Sequence, residues 1–304
     1  MMSYIQRLRA WSKRPNKSII MQYVETFIVV LPIAFFIRTY FYGLYQVPTG
    51  SMETTMLVGD RFFADKLTVF FYPPKHGDII TFNDPTFPYS DNSFINWYQR
   101  YVWGPSNWTK RLVACPGDHI KGVIEEGKPV VYLKKKGETE FTKLHEPYLN
   151  KYPLVAVYQP ECGRAWANKS YDPAFSFQDQ PFYYMKKQDV ELAKKILALH
   201  GRPSLLEPQT PAINDDGRNV DIYDFLLGEN EYWAMGDNRL GSCDCRFWGG
   251  TQGKPLDGIL IHGKIIFRLW SIDSDDSWWI VDLLKHPIDF WKRVRWSRFF
   301  QQVN

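Results

Sequence analysis

Residues 58–82, VGDRFFADKLTVFFYPPKHGDIITF, contain the pattern that decides the expected fold. Three short apolar runs, RFFAD, TVFFY and DIITF, are cut by the Pro-Pro pair at 73–74 and by Gly77. Short runs rich in aromatic and β-branched residues, bounded by Pro and Gly, are typical of β-strands joined by tight turns. The stretch therefore predicts a β-rich body with a short strand in each run.

The rest of the chain extends this pattern and interrupts it once. Five later segments are predicted as further strands: residues 111–115, 119–125, 129–134, 231–235 and 259–270. A turn is expected at Gly127. Residues 187–200 have apolar side chains at helical spacing and precede Gly201, which predicts an α-helix. Residues 202–230 are rich in Pro and Asp and are predicted as a long surface loop, so an insertion of mixed structure is expected at roughly 127–229.

The composition indicates a folded protein with an excess of aromatic residues. Hydrophobic residues make up 45% and charged residues 23%, which excludes a disordered chain. Aromatic residues reach 17%, with 12 Trp and 18 Tyr, more than a soluble core of this size needs. Trp and Tyr are enriched where a protein meets the membrane–water interface, and an aromatic-rich β-sandwich is the alternative.

The cations are concentrated at the two ends of the chain. The net charge is +4, but residues 1–17 hold five Arg and Lys without an acid, and residues 282–304 hold five against two acids. The middle of the chain is therefore mildly acidic. Basic ends of this kind indicate contact with anionic lipid. The chain has no RNA- or DNA-binding motif, so a nucleic-acid partner is not expected.

Residues 19–37, IIMQYVETFIVVLPIAFFI, are predicted to cross a membrane as one helix. A helix of this length covers roughly 28 Å, close to a hydrocarbon core of about 30 Å. A buried helix of a soluble protein is one alternative, and the cations that precede the segment argue against it. A cleaved signal peptide is another, but residues 38–47 offer only Gly43 as a small residue. The positive-inside rule places the N-terminus in the cytoplasm and residues from about 44 onward on the other side.

The four cysteines do not form a metal-binding motif. Cys115, Cys162, Cys243 and Cys245 include no C-x-x-C pair, and no histidine lies at zinc-ligand spacing. If the body is extracytoplasmic, up to two disulfides are possible, and the three full pairings stay open.

Three polar segments carry the residues best suited to chemistry. Ser51 lies in PTGSM (48–52), directly after the predicted span, and Lys110 precedes an apolar strand. A serine needs a base to become a nucleophile, and a lysine can act as one when burial lowers the pKa of its ammonium. The third segment, residues 235–246 (MGDNRLGSCDCR), alternates acids, bases and a hydroxyl, which predicts a hydrogen-bonded scaffold. A histidine base, His76 or His119, is the alternative, whereas H-E-x-x-H and G-x-S-x-G motifs do not occur.

In their order and spacing these segments resemble the signature segments of the bacterial type I signal peptidases. PTGSM is followed by KRLVACPGD at 110–118 and by GDNR at 236–239, and the final VRWSR at 294–298 is similar too. The resemblance covers most of residues 19–125 and 231–300. It implies a mainly β fold: an antiparallel β catalytic core with an inserted mixed α/β second domain and one N-terminal transmembrane helix.

The resemblance also implies roles for individual residues. Ser51 is the expected nucleophile and Lys110 its general base. Thr49, with the backbone N–H of Ser51, is expected to stabilise the oxyanion, and Ser242 to hydrogen-bond the lysine and orient it. Scaffold roles are expected for Asp237, Asn238, Arg239, Asp244 and Arg246.

Three residues depart from the usual third segment. Leu240 and Gly241 replace an Asp-Asn pair, and Cys245 stands where a serine is usual. None of them is the expected nucleophile or base, so they concern the local hydrogen-bond network and the substrate pocket.

The implied activity is removal of signal peptides from exported preproteins through an acyl-enzyme, with small residues before the cleaved bond. No cofactor and no metal is implied. The expected partners are preprotein signal peptides, membrane lipid and the secretion translocon. The expected location is the bacterial inner membrane, with a single span, a cytoplasmic N-terminus and a periplasmic catalytic domain. A maturation peptidase with a narrow client is one alternative, and a catalytically inactive membrane-anchored assembly or binding protein is another.

The predicted organisation has six parts. They are a basic cytoplasmic segment (1–18), the transmembrane anchor (19–43), the first part of the catalytic core (44–126), the inserted domain (127–229), the second part of the core (230–275) and an aromatic, basic membrane-interface segment (276–304).

Overall fold

The computed structural model describes residues 18–102, 104–150, 154–159, 164–170, 204–206, 211–213, 217–249, 252–272 and 279–303. Within these ranges the helices are α1 (Ile19–Tyr40), α2 (Leu67–Phe71), α3 (Ser93–Tyr101), α4 (Trp279–Lys285) and α5 (Asp289–Arg293). The strands are β1 (Tyr42–Gln46), β2 (Asp60–Asp65), β3 (Ile79–Asn83), β4 (Asn107–Ala114), β5 (His119–Glu125), β6 (Lys128–Lys134), β7 (Thr142–Lys143), β8 (Leu154–Gln159), β9 (Arg164–Ser170), β10 (Ser204–Leu206), β11 (Tyr223–Leu226), β12 (Glu231–Met235), β13 (Leu256–Asp257), β14 (Ile261–Ser271) and β15 (Gln301–Gln302).

The described strands form three antiparallel sheets. The main sheet has the order β1-β2-β14-β3-β4-β12-β13, and β15 also pairs with β14. A second sheet has the order β11-β5-β6-β7, and a third the order β10-β8-β9. The expected fold class, mainly antiparallel β with one long N-terminal helix, is confirmed.

The largest core cluster includes side chains from both the main and the second sheet. Alternate residues of β2 are buried, beginning with Asp60, because successive side chains of a strand point to opposite faces. Phe82 of β3, Leu112 of β4 and Trp233 of β12 meet in this cluster with Ile120 of the second sheet. Burying one large apolar side chain contributes about 1.5–3 kcal/mol, so this cluster fixes the register of β3, β4 and β12.

The predicted membrane helix is present and longer than expected. α1 continues to Tyr40, and its window Tyr23–Tyr40 is long and apolar enough to cross a membrane. None of that window is buried against the rest of the described protein. Its apolar side chains therefore face outward on all sides, unlike those of a core helix.

All five of the later segments predicted as strands occur as strands. Residues 111–115, 119–125 and 129–134 correspond to β4, β5 and β6, and the two later segments correspond to β12 and β14. Between β5 and β6 the chain turns at Glu126 and Gly127, both with positive φ (51° and 77°), as a two-residue hairpin requires. Residues 60–65 and 79–83 also form strands, as the first stretch predicted.

The prediction of a strand at TVFFY was wrong, because Leu67–Phe71 forms the short helix α2. The carboxylate of Asp65 accepts a hydrogen bond from the Thr68 backbone N–H (2.9 Å) and so starts a helical turn. Val69 packs against the core while Phe70 and Phe71 are exposed, and no described strand pairs with this run.

The prediction of a continuous loop at 202–230 was wrong in part. Tyr223–Leu226 forms β11, which pairs with β5, and Ser204–Leu206 forms β10. Short strands of this kind depend on a distant partner strand, which local composition does not reveal. The helix predicted at 187–200 lies outside the described residues, and the domain boundaries stay predictions.

Candidate active site

Ser51 lies in a tight turn that leaves the end of β1. Thr49 is extended, and Gly50–Met52 forms one turn of 3₁₀ helix. The backbone N–H of Asn238 donates to the Ser51 carbonyl (3.1 Å), and the Asn238 side-chain amide donates to the Gly50 carbonyl (3.0 Å). The turn that carries the serine is therefore held by the segment that follows β12.

Lys110 reaches this turn from the middle of β4. Its Nζ lies 2.9 Å from Oγ of Ser51 and 3.2 Å from the carbonyl oxygen of Thr109. The side chain is buried, with 5% of Lys110 exposed. Burial lowers the pKa of the Lys110 ammonium below its ordinary value, although the negative charge of Asp244 opposes the shift.

The neighbouring Arg111 points away from the serine. Its Nε and Nη2 each lie 2.8 Å from a carboxylate oxygen of Asp237, and both residues are buried. Thr55, four residues after Ser51, donates from Oγ1 to the same carboxylate at 2.6 Å. This bidentate pair joins β4, the segment after β12 and the loop after the nucleophile.

Ser242 lies beside the dyad and bonds to an acid. Its Oγ donates to Oδ2 of Asp244 (2.8 Å), which also accepts from the Gly236 backbone N–H (3.0 Å). A Cβ at Gly236 would collide with the Ser242 hydroxyl and the Ser51 carbonyl, so this close approach requires glycine. The expected contact between Ser242 and Lys110 is not among the hydrogen bonds of the described residues.

Arg246 neutralises this acid from the other side. Its Nε lies 2.8 Å from Oδ1 of Asp244, and its Nη1 lies 2.7 Å from Oδ1 of Asp221. Burial alone would raise the pKa of Asp244, but Arg246 and the bonds from Gly236 and Ser242 lower it below its ordinary value. Asp244 therefore stays charged and accepts the hydrogen bond from the Ser242 hydroxyl.

The other expected scaffold residue, Arg239, makes a close ion pair with Glu146 and donates from Nε to the Gly236 carbonyl (3.0 Å). The carbonyl of Arg239 in turn accepts from Arg246 Nη2 at 2.7 Å. Together, the scaffold residues expected from the sequence form one buried network behind the Ser51 turn.

A cavity of about 460 Å³, here called the substrate cleft, opens in front of Ser51 and Lys110. Its walls are formed by residues 45–52 with Met56, by residues 106–110 and by Gly241 with Cys243. β12 pairs with β4 only from Arg111 to Ala114, so the earlier half of β4 has its described partner on one side only. β1 is likewise an edge strand of the described main sheet. The cleft is therefore bordered by two strand edges that an extended peptide can join.

The three departures in the third segment fall at different places. Gly241 lines the substrate cleft, next to Leu240 in a short 3₁₀ turn. Cys245 is fully buried, and its sulfur accepts from the Ala234 backbone N–H at 3.2 Å. Burial raises the pKa of this thiol, so it stays uncharged and takes a structural hydrogen bond.

The described cysteines form no disulfide, and the two candidate histidine bases do not contact Ser51. Cys115, Cys243 and Cys245 are free thiols, and Cys162 lies outside the described residues. The two histidines considered as bases bond elsewhere. His76 Nε2 lies 2.6 Å from Asp118, and His119 Nε2 lies 2.5 Å from Asp224.

One group of side chains has the composition of a metal site. Ligand atoms of His76, Cys115 and Asp118 lie within 4.8 Å of one another. Asp118 also accepts from the backbone N–H of Cys115 (2.8 Å), which closes the turn between β4 and β5, and from that of Lys136 (2.9 Å), which joins this turn to the residues after β6. This structural role accounts for the arrangement.

Two functional neighbours were missed from the sequence. Cys243 and Asn107 both line the substrate cleft. Asn107 is held there by Nε2 of His262 on β14, at 2.7 Å from its Oδ1. No local pattern marks either residue, because each matters only through where the main sheet places it.

Comparisons with known proteins bear on this geometry. A family model described as "Signal peptidase, peptidase S26" matches residues 20–270. Signal peptidase I of Aquifex aeolicus is 28% identical over 264 residues, which cover 80% of this chain and 85% of that protein. Signal peptidase I of Buchnera aphidicola subsp. Baizongia pistaciae is 25% identical over 86% of this chain and 80% of its own length. Signal peptidase I of Haemophilus influenzae is 23% identical over 93% of this chain and 75% of its own length.

Proposed function

The chain belongs to the peptidase S26 family of signal peptidases and is a serine endopeptidase, and from this premise we propose that it removes signal peptides from exported preproteins with a Ser51–Lys110 dyad. The observation that carries the proposal is the 2.9 Å separation of Lys110 Nζ from Ser51 Oγ in a buried environment. An uncharged amine at this distance accepts the serine proton as the hydroxyl attacks.

The first chemical step forms an acyl-enzyme. Ser51 Oγ bonds to the scissile carbonyl carbon, its proton passes to Lys110 Nζ, and the resulting ammonium protonates the leaving amine as the peptide bond breaks. The hydroxyl of Thr49 and the N–H of Ser51 stabilise the oxyanion, a role supported by the position of both residues on the cleft wall. A water molecule, deprotonated by Lys110, then releases the signal peptide from Ser51.

The substrate is an extended peptide with small residues before the cleaved bond. Its main chain pairs with the free edges of β1 and the first half of β4, on either side of the dyad. Met52 and Met56 contribute apolar side chains to the cleft wall near the serine, which favours small apolar side chains over large ones.

The enzyme is anchored in the bacterial inner membrane by α1, with its N-terminus in the cytoplasm and the catalytic body on the periplasmic side. The outward-facing apolar surface of α1 and the five cations in residues 1–17 support this orientation. Ser51 follows α1 by only eleven residues, counted from Tyr40. Cleavage therefore takes place close to the membrane surface, where a translocon would deliver preproteins.

The test is incubation of the purified full-length protein with a preprotein, with products identified by mass. We expect the wild type to cut after a small residue and Ser51→Ala to leave the preprotein intact. Cleavage of several unrelated preproteins distinguishes this function from a maturation peptidase with one client. A folded wild type that cuts none of them supports the inactive assembly protein instead.

A further inference from the structure

A second cavity, of about 410 Å³, lies where α1 joins the β body, and we call it the anchor cavity. Three cations from three separate elements line it: Arg38 in the last turn of α1, Lys66 directly after β2 and Arg100 in the last turn of α3. No Asp or Glu is among the described residues of its wall. The cavity is therefore a concentrated positive site on a chain whose middle is mildly acidic.

Backbone and ring contacts hold the three elements together. The Lys66 backbone N–H donates to the Phe41 carbonyl just after α1, at 2.9 Å. The ring of Tyr40, near the end of α1, stacks on that of Tyr101 at 6.1 Å between centroids. The cations thus approach one another because the fold brings their elements together.

Among the described residues none of the three cations forms a salt bridge, although the Arg100 guanidinium lies over the Tyr89 ring at 5.6 Å from its centroid. Burial, and then the charge of Arg38, lower the pKa of Lys66 to about 8. Nε of Arg100 is buried and has no hydrogen-bond partner among the described residues. The nearby acid Asp65 is already bonded to Thr68 at the start of α2. An anion in the cavity would relieve this repulsion and satisfy the free donor.

The surroundings of the anchor cavity indicate which kind of anion it suits. Arginine presents a planar fork of donors that suits phosphate oxygens. Phe36 and Ile37 of α1 are exposed directly beside Arg38, and Phe70 and Phe71 of α2 are exposed beyond Lys66. Exposed apolar side chains that border cations are typical of the boundary between acyl chains and lipid headgroups.

Resting on the membrane anchoring proposed above, we propose that the anchor cavity binds the phosphate of an anionic phospholipid through Arg38, Lys66 and Arg100. The site adjoins the reaction site, because Asn107 lines both the anchor cavity and the substrate cleft. His262 connects the two sides, with Nε2 at 2.7 Å from Asn107 Oδ1 and Nδ1 at 3.2 Å from the Tyr45 hydroxyl on the cleft wall. A bound lipid headgroup therefore fixes the height of the cleft above the membrane.

The test uses the full-length protein in bilayer discs of phosphatidylcholine with phosphatidylglycerol as the minor lipid. Native mass spectrometry after extraction counts the lipids that stay bound. We expect the wild type to retain one phosphatidylglycerol. Lys66→Gln/Arg100→Gln should bind it about thirtyfold more weakly, since each cation near a membrane strengthens the binding of an anionic lipid by roughly fivefold.

Matched variants separate the site from general charge and from misfolding. Lys121→Gln/Lys143→Gln removes two exposed cations of the second sheet and should retain the lipid as the wild type does. Lys66→Arg/Arg100→Lys keeps both charges and should restore binding. The proposal would be overturned if the wild type retained phosphatidylcholine as well as it retained phosphatidylglycerol. It would also be overturned if Lys66→Gln/Arg100→Gln retained phosphatidylglycerol as well as the wild type does.

Two further measurements distinguish the possible failures. Inorganic phosphate is titrated in discs of phosphatidylcholine alone, and saturable binding of it without selection of phosphatidylglycerol would overturn the lipid assignment. Preprotein cleavage is assayed in the same discs. Cleavage without lipid selection contradicts this inference alone, whereas lipid selection without cleavage contradicts the proposed function alone.

Discussion

At the scale of single residues, the proposed chemistry depends on keeping the Lys110 amine uncharged. An ordinary lysine has a pKa near 10.4 and would be almost fully protonated at neutral pH. Burial of Lys110 lowers its pKa, and the pair of Arg111 with Asp237 keeps the adjacent guanidinium occupied elsewhere. Asp244 opposes the shift, but Arg246 neutralises much of its charge.

The dyad predicts a non-additive loss of activity. We expect Ser51→Ala and Lys110→Ala each to reduce kcat/KM by roughly 10³-fold or more, and the double variant to be no slower than either single one. Circular dichroism and the melting temperature report whether each variant is folded. Substantial cleavage by folded Ser51→Ala would refute the assignment of the nucleophile.

The lowered pKa of Lys110 predicts the pH profile of the reaction. We expect kcat/KM for a short peptide to rise from acid to mildly alkaline pH. The pH at which it is half-maximal should lie below the ordinary lysine pKa. A histidine base would place that half-maximal pH near 6.5. A half-maximal pH at that position that persists in an active Lys110→Ala variant would assign the base to a histidine instead.

The same pKa shift predicts how stability depends on pH. In the unfolded chain Lys110 stays protonated up to about pH 10.4, whereas the folded state releases the proton at lower pH. Between these values the unfolded state binds more protons, so the free energy of unfolding rises with pH. Lys110 therefore destabilises the fold at low pH: the penalty is absent above about pH 10.4, grows as the pH falls and is constant below the folded pKa.

We therefore expect Lys110→Met to raise the free energy of unfolding at pH 7, an advantage that shrinks towards pH 10. Urea denaturation from pH 6 to 10 measures it. Lys121→Met, at an exposed lysine, is the control and should change stability little. A difference that grows with pH would contradict a buried, uncharged lysine.

At the scale of elements, the C-terminal segment holds the loop that carries the nucleophile. Asp60, at the start of β2, is fully buried and contacts Arg298 Nη2 at 2.6 Å and Arg268 Nε at 3.3 Å. Arg268 also donates to the Thr55 carbonyl (2.8 Å), and Arg295 to that of Val58 (2.8 Å). Arg268, together with Arg295 and Arg298 of VRWSR, therefore holds residues 55–60 in place. We call this set of contacts the clamp.

This clamp predicts a large cost for removing one partner. Arg298→Leu should lower the free energy of unfolding by roughly 3 kcal/mol, because it removes the nearest cation from the buried Asp60 carboxylate. Lys292→Gln, which breaks the exposed pair with Asp289, should cost less than about 1 kcal/mol. Adding Asp60→Asn to Arg298→Leu should recover part of the loss. Equal costs for the two single variants would contradict the clamp.

At the scale of the whole molecule, exposed aromatic residues predict a second membrane contact besides the proposed anchor α1. Residues 86–108 are rich in aromatic side chains and contain α3, whose Phe94 and Trp97 are exposed. In the C-terminal segment Trp291 and Trp296 are exposed and stacked, at 6.1 Å between ring centroids. Trp278 lies outside the described residues.

We therefore expect a chain that begins at Tyr40 to sediment with anionic liposomes at low salt, because exposed aromatics beside cations bind the interface. Replacing Phe94, Trp97 and Trp291 by Ser in that chain should release most of it into the supernatant. A truncated chain that stays wholly soluble, with or without these residues, would show that α1 alone provides membrane contact.

The sequence by itself determined the properties that are local in the chain. The apolar helix α1 follows from one contiguous segment, and β4, β5 and β6 follow from short patterns bounded by turns. The dyad residues and the scaffold could be named because PTGSM, Lys110 and GDNR resemble a family signature. Their roles still rested on that resemblance.

Tertiary structure decided what depends on distant partners. TVFFY became α2 because no described strand pairs with it, and residues 223–226 became β11 because β5 pairs with them. Ser51 and Lys110, 59 positions apart, meet because the main sheet places β4 next to the turn after β1. Arg38, Lys66 and Arg100 line one cavity for the same reason. Burial, pairing and electrostatic fields are sums over neighbours in space, and a linear pattern does not specify which neighbours the folded chain supplies.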